Sequence, residues 1–95
     1  DRPVSVYYTL KDCVAVPCES FPTLSLAERR VAITRKEGVT VSTIFLCNDH
    51  SWGGGPPLLF ETMVFGGEYD NEQKRCTTWN EAQQMHADMC KKVWP

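Results

Sequence analysis

The stretch RRVAITRKEGVTVSTIFLCN, residues 29–48, decides the fold. It contains two runs rich in β-branched residues, separated by Lys36, Glu37 and Gly38. Gly38 can adopt the positive φ that a tight turn requires, so the stretch predicts an antiparallel β-hairpin. The second run alternates at first and then becomes continuously apolar. That change predicts a central strand that is buried on both faces at its far end.

Further strands are predicted on both sides of this hairpin. Residues 3–10 (PVSVYYTL) and 57–67 (PLLFETMVFGG) are rich in β-branched and aromatic residues, which is typical of strands. Residues 11–23 carry two prolines and no sustained period, and we predict mostly loop there. The polar residues 68–76 predict a loop that ends in a short edge strand near Cys76.

Two capping patterns predict helices. Ser25 followed by Glu28 predicts one or two helical turns within residues 23–30, and Thr78 followed by Glu81 predicts a longer C-terminal helix. Six residues of the second helix, apolar except for one histidine, recur at three- and four-residue steps: Trp79, Ala82, Met85, His86, Met89 and Val93. This stripe must pack against the sheet. The sequence therefore predicts an α+β fold, with a three- or four-stranded antiparallel sheet and one long C-terminal helix on one face.

Length and charge narrow the function classes. The 95 residues predict a single domain, residues 1–95. The net charge is −2 and basic residues occur only in pairs, so nucleic-acid binding is not indicated. No apolar run is long enough to span a bilayer, and we expect no membrane association. Neither a phosphate-binding Gly-Lys-Ser/Thr loop nor a G-x-G-x-x-G motif is present, so no cofactor is predicted.

Five cysteines are many for this length: Cys13, Cys18, Cys47, Cys76 and Cys90. None forms a CxxC pair, and the ligand spacing of structural zinc sites is missing. We interpret them as reduced, partly buried thiols. A disulfide that involves Cys13 or Cys18 and a thiolate metal site are the alternatives.

Several stretches resemble a family of small bacteriophage and prophage proteins. Residues 41–67 (VSTIFLCNDHSWGGGPPLLFETMVFGG) and 75–93 (RCTTWNEAQQMHADMCKKV) are similar to the family pattern VSTVFLGLDH, GPPLLFETMVFGG and RYSTWEEAEAGH. The similarity extends upstream through residues 16–20 (VPCES) and 29–35 (RRVAITR). The chain departs from the pattern at Cys47, Asn48 and Cys76. The resemblance implies a phage gene product that acts in the cytoplasm of a bacterial host, but it assigns no activity, catalytic residue or cofactor.

Four acid or base side chains form a candidate site. Asp49 and His50 follow the buried strand, Glu61 projects from the returning strand, and His86 lies on the helix stripe. Two imidazoles and two carboxylates can hold a divalent metal or act as general acid–base pairs. Each residue also has a structural interpretation. Asp49 can close the turn, His50 can end the strand and His86 can form hydrogen bonds in the core.

Glu61 has a structural interpretation of its own. It interrupts an apolar strand face, and an arginine or lysine on a neighbouring strand would compensate its charge. Arg30, Arg35 and Lys74 are the predicted partners.

The turn between these strands is the second candidate. Gly53, Gly54 and Gly55 permit unusual φ values and can expose backbone N–H groups to an anion such as a nucleotide phosphate. Trp52 stands at the tip of the turn, where an exposed aromatic side chain would be an anchor for a partner. A structural turn with a packed Trp52 is the alternative.

These observations lead to three functional hypotheses. The first is a phage accessory protein that binds a host bacterial protein, such as a component of antiviral defence, through the 49–57 loop and the sheet edge. The second is a small-molecule or nucleotide-binding protein that uses the glycine turn with His50, Glu61 and His86. The third is a metal-dependent hydrolase built from the same residues. An uncapped sheet edge also permits a homodimer.

Overall fold

Six strands and two helices make up the part of the chain that the computed structural model describes, residues 7–51 and 55–95. The strands are β1 (Tyr7–Lys11), β2 (Val14–Cys18), β3 (Arg30–Lys36), β4 (Val39–Phe45), β5 (Phe60–Phe65) and β6 (Gln73–Cys76). The helices are α1 (Leu26–Arg29) and α2 (Trp79–Val93). Strands β3 to β6 form an antiparallel sheet in chain order, and α2 packs on it. The predicted α+β fold with a C-terminal helix is confirmed.

The β3–β4 hairpin forms where the sequence predicts it. Glu37 and Gly38 make its turn with positive φ angles of 55° and 77°. Strand β4 lies between β3 and β5, so its central position is confirmed. The prediction that its far end is buried on both faces is wrong. Burial alternates along β4, and Ile44 is only half-buried because the helix covers one face of the sheet.

A second sheet of two antiparallel strands, β1 and β2, precedes this hairpin. Its turn uses Asp12 and Cys13 with positive φ angles of 50° and 65°. Residues 14–18 are therefore a strand and not the predicted loop. Pro17 is tolerated because it lies opposite Tyr8, whose N–H donates to the Cys47 carbonyl and not to β2, so the two residues form a non-hydrogen-bonded pair and the missing N–H costs no ladder hydrogen bond. Of the strand predicted at residues 3–10, the part before residue 7 lies outside the described residues.

Helix α2 begins at a reciprocal cap. Thr78 accepts a hydrogen bond from the Glu81 N–H, and the Glu81 carboxylate accepts one from the Thr78 N–H, as predicted. Ser25 and Glu28 form the same arrangement at α1. Ala82 of α2 packs into an apolar cluster with Phe45, Cys47, Leu59 and Phe60, and Met89 packs on Val41 and Val64. No helix within the described ranges has the length and apolarity to cross a membrane.

The two faces of the four-stranded sheet differ in their cover. The face under α2 carries the buried pairs Val41–Val64, Thr43–Thr62 and Phe45–Phe60. The opposite face, called the open face below, carries the side chains that alternate with them: Arg30, Ile33, Arg35, Thr40, Ser42, Ile44, Glu61, Met63, Phe65, Gln73 and Arg75. None of these is fully buried, and Phe65 is 48% exposed.

Candidate functional site

Asp49 closes the segment that leaves β4. Its Oδ1 accepts hydrogen bonds from the N–H of Ser51 at 2.8 Å and of Leu58 at 3.0 Å, so the carboxylate ties the two sides of the turn together. Burial acts to raise the pKa of Asp49, but these hydrogen bonds and the nearby His50 outweigh it and hold the pKa below its ordinary value. This is the turn-closing role that the sequence offers as the structural interpretation.

His50 lies beside the same turn, in a shallow depression of about 390 Å³ that Asp49, His50, Ser51 and Arg75 line. Its Nε2 is 3.3 Å from the Asn48 Oδ1. Arg75 connects this depression to the open face, because its Nε donates to Glu61 Oε2 at 3.0 Å. Asp49 and His50 thus line one depression with Arg75, and Arg75 is the ion-pair partner of Glu61.

Glu61 has a different partner from the predicted ones. Arg75 lies directly opposite Glu61 in the β5–β6 register, whereas Lys74 lies opposite Thr62 and points to the face under α2. Arg30 and Arg35 belong to β3, which β4 separates from β5. The prediction that a basic residue on a neighbouring strand compensates Glu61 is confirmed, but the residue is Arg75.

His86 is separated from the other three candidates by the sheet. It belongs to α2, is 7% exposed and faces the sheet, where its Nδ1 is 2.7 Å from Thr43 Oγ1 and its Nε2 is 2.9 Å from Thr34 Oγ1. Thr43 Oγ1 in turn is 2.5 Å from Thr62 Oγ1. One neutral imidazole therefore connects three threonines of adjacent strands, which is the core role that the sequence offers as the alternative to a ligand.

We expect the burial of His86 to make the protein less stable in mild acid. Burial lowers the pKa of His86 below its ordinary value of 6.5, so the unfolded chain binds this proton more readily than the folded chain. The stability contribution is therefore complete above the ordinary pKa of about 6.5 and is lost as the pH falls below it. Urea unfolding at pH 7.5 and pH 5.5 measures the effect. A free energy of unfolding that is equal at the two values, or larger at pH 5.5, would contradict the assignment.

The glycine turn is described only in part. Trp52, Gly53 and Gly54 lie outside the described residues, so the predicted aromatic anchor and anion-binding turn stay predictions. Gly55 is exposed, and a side chain at this position would contact no atom of the described residues within 4 Å of its Cβ. Within residues 7–51 and 55–95, no group of three or more His, Cys, Asp or Glu side chains is placed to hold a metal ion.

The cysteines all lie within the described residues and all are free. Cys47 is buried and Cys13 is exposed. Burial raises the pKa of Cys76 to about 11, helped by the nearby Glu81 carboxylate, and burial also raises the pKa of Cys47. A thiol with a raised pKa stays protonated at neutral pH and is a poor nucleophile and a poor metal ligand.

The sequence does not indicate the part played by Arg75, nor the threonine network around His86. Arg75 can be identified as the partner of Glu61 only if the register between β5 and β6 is known. That register depends on the length of the connection between the two strands. The signal for the threonines is their alternation with apolar residues on adjacent strands, since Thr43 and Thr62 each occupy a position of the buried face. No protein-family model, curated protein or solved structure matches the chain, and the resemblance to phage proteins therefore stays a prediction from the sequence.

Proposed function

We propose that this protein is a phage accessory protein that acts by binding a host protein, and that the open face of the sheet is its contact surface. The observation that carries the proposal is the apolar content of this face. Ile33, Ile44 and Met63 are half-buried, and Phe65 at the end of the row is 48% exposed. Helix α2 packs on the opposite face and leaves these side chains in contact with water. Apolar surface of this kind favours association with a partner.

The charge of the open face identifies the kind of partner. Arg30, Arg35 and Arg75 carry three positive charges and Glu61 one negative charge, so the face has a net charge of +2 on a chain of net charge −2. Among the described residues, the Nε of Arg30 is buried without a hydrogen-bond partner. A protein surface with carboxylates around an apolar centre complements this pattern. We therefore expect an acidic partner, and a component of host antiviral defence is the target that we propose for a phage gene product.

The test combines affinity capture from bacterial lysate with titration of the identified protein. We expect Phe65→Glu to abolish capture, because it places a charge at the apolar part of the face. Arg35→Glu is expected to weaken binding of the purified partner about tenfold or more in isothermal titration, since it replaces attraction by repulsion. Lys91→Glu is the matched control. It makes the same charge change at an exposed position on α2, and binding should be retained.

Two results would count against the proposal. One is that the partner binds Phe65→Glu as tightly as the unaltered protein, and the other is that binding of the purified partner does not saturate.

The second candidate function is the binding of a small anionic ligand, which is favoured by the depression in which His50 and Arg75 lie together. It predicts a thermal shift with nucleotides that His50→Ala removes and Phe65→Glu leaves unchanged.

A further inference from the structure

A pocket of about 230 Å³ lies at the C-terminal end of helix α2, where the β3–β4 turn and the β5–β6 connection meet the helix. The two connections approach each other closely, because a side chain on Gly66 would place its Cβ 2.9 Å from the carbonyl oxygen of Gly38. The side chains that line the pocket are two carboxylates, two aromatic rings and two valines: Glu37, Glu68, Tyr69, Trp94, Val39 and Val93.

The charge of this lining is negative. Glu37 and Glu68 are exposed, and neither forms an ion pair within residues 7–51 and 55–95. Among the described residues, no lysine, arginine or histidine lines the pocket. Lys92 lies beside it, with its Nζ 5.1 Å from the centroid of the Tyr69 ring, but its charge is compensated by its ion pair with Glu72. Two carboxylates therefore face the pocket without a cation of the chain to balance them.

The end of helix α2 adds to the negative potential. Val93 is the last residue of this 15-residue helix, and Trp94 is its C-cap. The C-terminal end of a helix carries a partial negative charge, because its last carbonyl groups have no partner within the helix. Lys91 and Lys92 offset part of this charge from the last turn, but neither of them lines the pocket. Helix and carboxylates thus both favour a cation as the occupant.

The aromatic and apolar lining selects among cations. The rings of Tyr69 and Trp94 attract a positive charge through their quadrupoles. Rings and valines do not replace the water of a strongly hydrated cation, such as a primary ammonium group. A divalent metal ion requires about six oxygen ligands, and the described residues hold no group of three or more acidic, histidine or cysteine side chains that could bind one. A weakly hydrated organic cation meets both conditions.

We propose that this pocket binds an organic cation with a trimethylammonium group. The rings and valines contact its methyl groups, and the two carboxylates compensate its charge. A lipid headgroup of the same type is a poorer occupant, because its phosphate would lie beside Glu37 and Glu68 and be repelled. No lining residue belongs to the open face, so the inference does not depend on the proposed function.

NMR titration of the whole protein with choline tests the proposal. We expect choline to shift the indole signal of Trp94 and the amide signals of Gly66 and Glu68, and the shifts to saturate. The indole signal of Trp79 should not move, because Trp79 lies at the other end of α2, roughly 20 Å away. Phosphocholine should bind about fivefold more weakly or worse. The same is expected of the uncharged isostere of choline, in which a tert-butyl group replaces trimethylammonium.

Variants of the lining test the two kinds of contact separately. Glu68→Gln removes one charge from an exposed side chain, and we expect choline binding to weaken about threefold or more. Glu19→Gln is the matched control, since it makes the same change at an exposed position outside the pocket, and binding should be retained. Trp94→Leu removes a ring and should also weaken binding, whereas Trp94→Phe keeps a ring and should restore part of the affinity.

Three results would overturn the proposal. They are an absence of saturable shifts with choline, an uncharged isostere that binds as tightly as choline, and equal affinities of Glu68→Gln and Glu19→Gln. The amide of acetylated trimethyllysine identifies the source of the cation, because it carries the same group as choline. Tighter binding of this amide than of choline supports the proposal with a methylated protein side chain as the source, and weaker binding supports it with a free compound.

Discussion

Replacing His86 by alanine is expected to lower the free energy of unfolding by about 2–4 kcal/mol. The substitution removes a buried imidazole and leaves a cavity between α2 and the sheet. It also removes the His86 hydrogen bonds of Thr34 and Thr43; Thr43 keeps Thr62 as a partner, whereas the half-buried Thr34 hydroxyl loses its side-chain partner. The loss of such a hydrogen bond costs about 0.5–1.5 kcal/mol, which adds to the cost of the cavity. Urea unfolding at pH 7.5 measures the change.

His50→Ala is the matched control, because it removes the other histidine of the chain. His50 is half-buried beside the turn and forms one long side-chain contact, so its loss should change stability by less than about 1 kcal/mol. If the two variants were equally stable, the core role of His86 would be refuted. The acid sensitivity expected between pH 7.5 and pH 5.5 should also disappear in His86→Ala and persist in His50→Ala.

The elements that the sequence predicts well are those with local signals. The caps at Ser25 and Thr78 depend on residues three positions apart, and the turn at Gly38 depends on one residue that accepts positive φ. Strand β2 has no such signal, since Pro17 argues against a strand unless the strand is known to lie at an edge. Its pairing with β1 is a tertiary fact that the local sequence does not contain.

The candidate site shows the same limit. Period-two alternation correctly places Glu61 on one face of β5 and Phe60, Thr62 and Val64 on the other. Alternation does not say which face the helix covers, and so the sequence alone permits Glu61 and His86 to meet. The helix covers the face of Thr62. That choice places His86 with the threonines and leaves Glu61 with Arg75 on the open face.

Two phenylalanines of β5 allow stability and binding to be tested separately. Phe60 is fully buried, with its ring centroid 5.2 Å from that of Phe45 and 6.2 Å from that of Trp79. Phe60→Ala is expected to cost about 3–5 kcal/mol, because it removes a ring from the centre of the core. Phe65 is 48% exposed on the open face, and Phe65→Ala should cost less than about 1 kcal/mol. Thermal and urea unfolding of the two variants measure both values.

The comparison of Phe60→Ala with Phe65→Ala bears on function, because an exposed phenylalanine at position 65 is expected to add little to the stability of the fold. If Phe65→Ala is as stable as the unaltered protein but binds the captured partner more weakly, the ring contributes to binding and not to folding. If Phe65→Ala instead unfolds as readily as Phe60→Ala, the ring belongs to the core and the open face loses its most exposed apolar contact. Since both residues lie on one six-residue strand, a difference between them cannot come from the strand as a whole. It comes from the surroundings of each side chain, which are the core for Phe60 and solvent for Phe65.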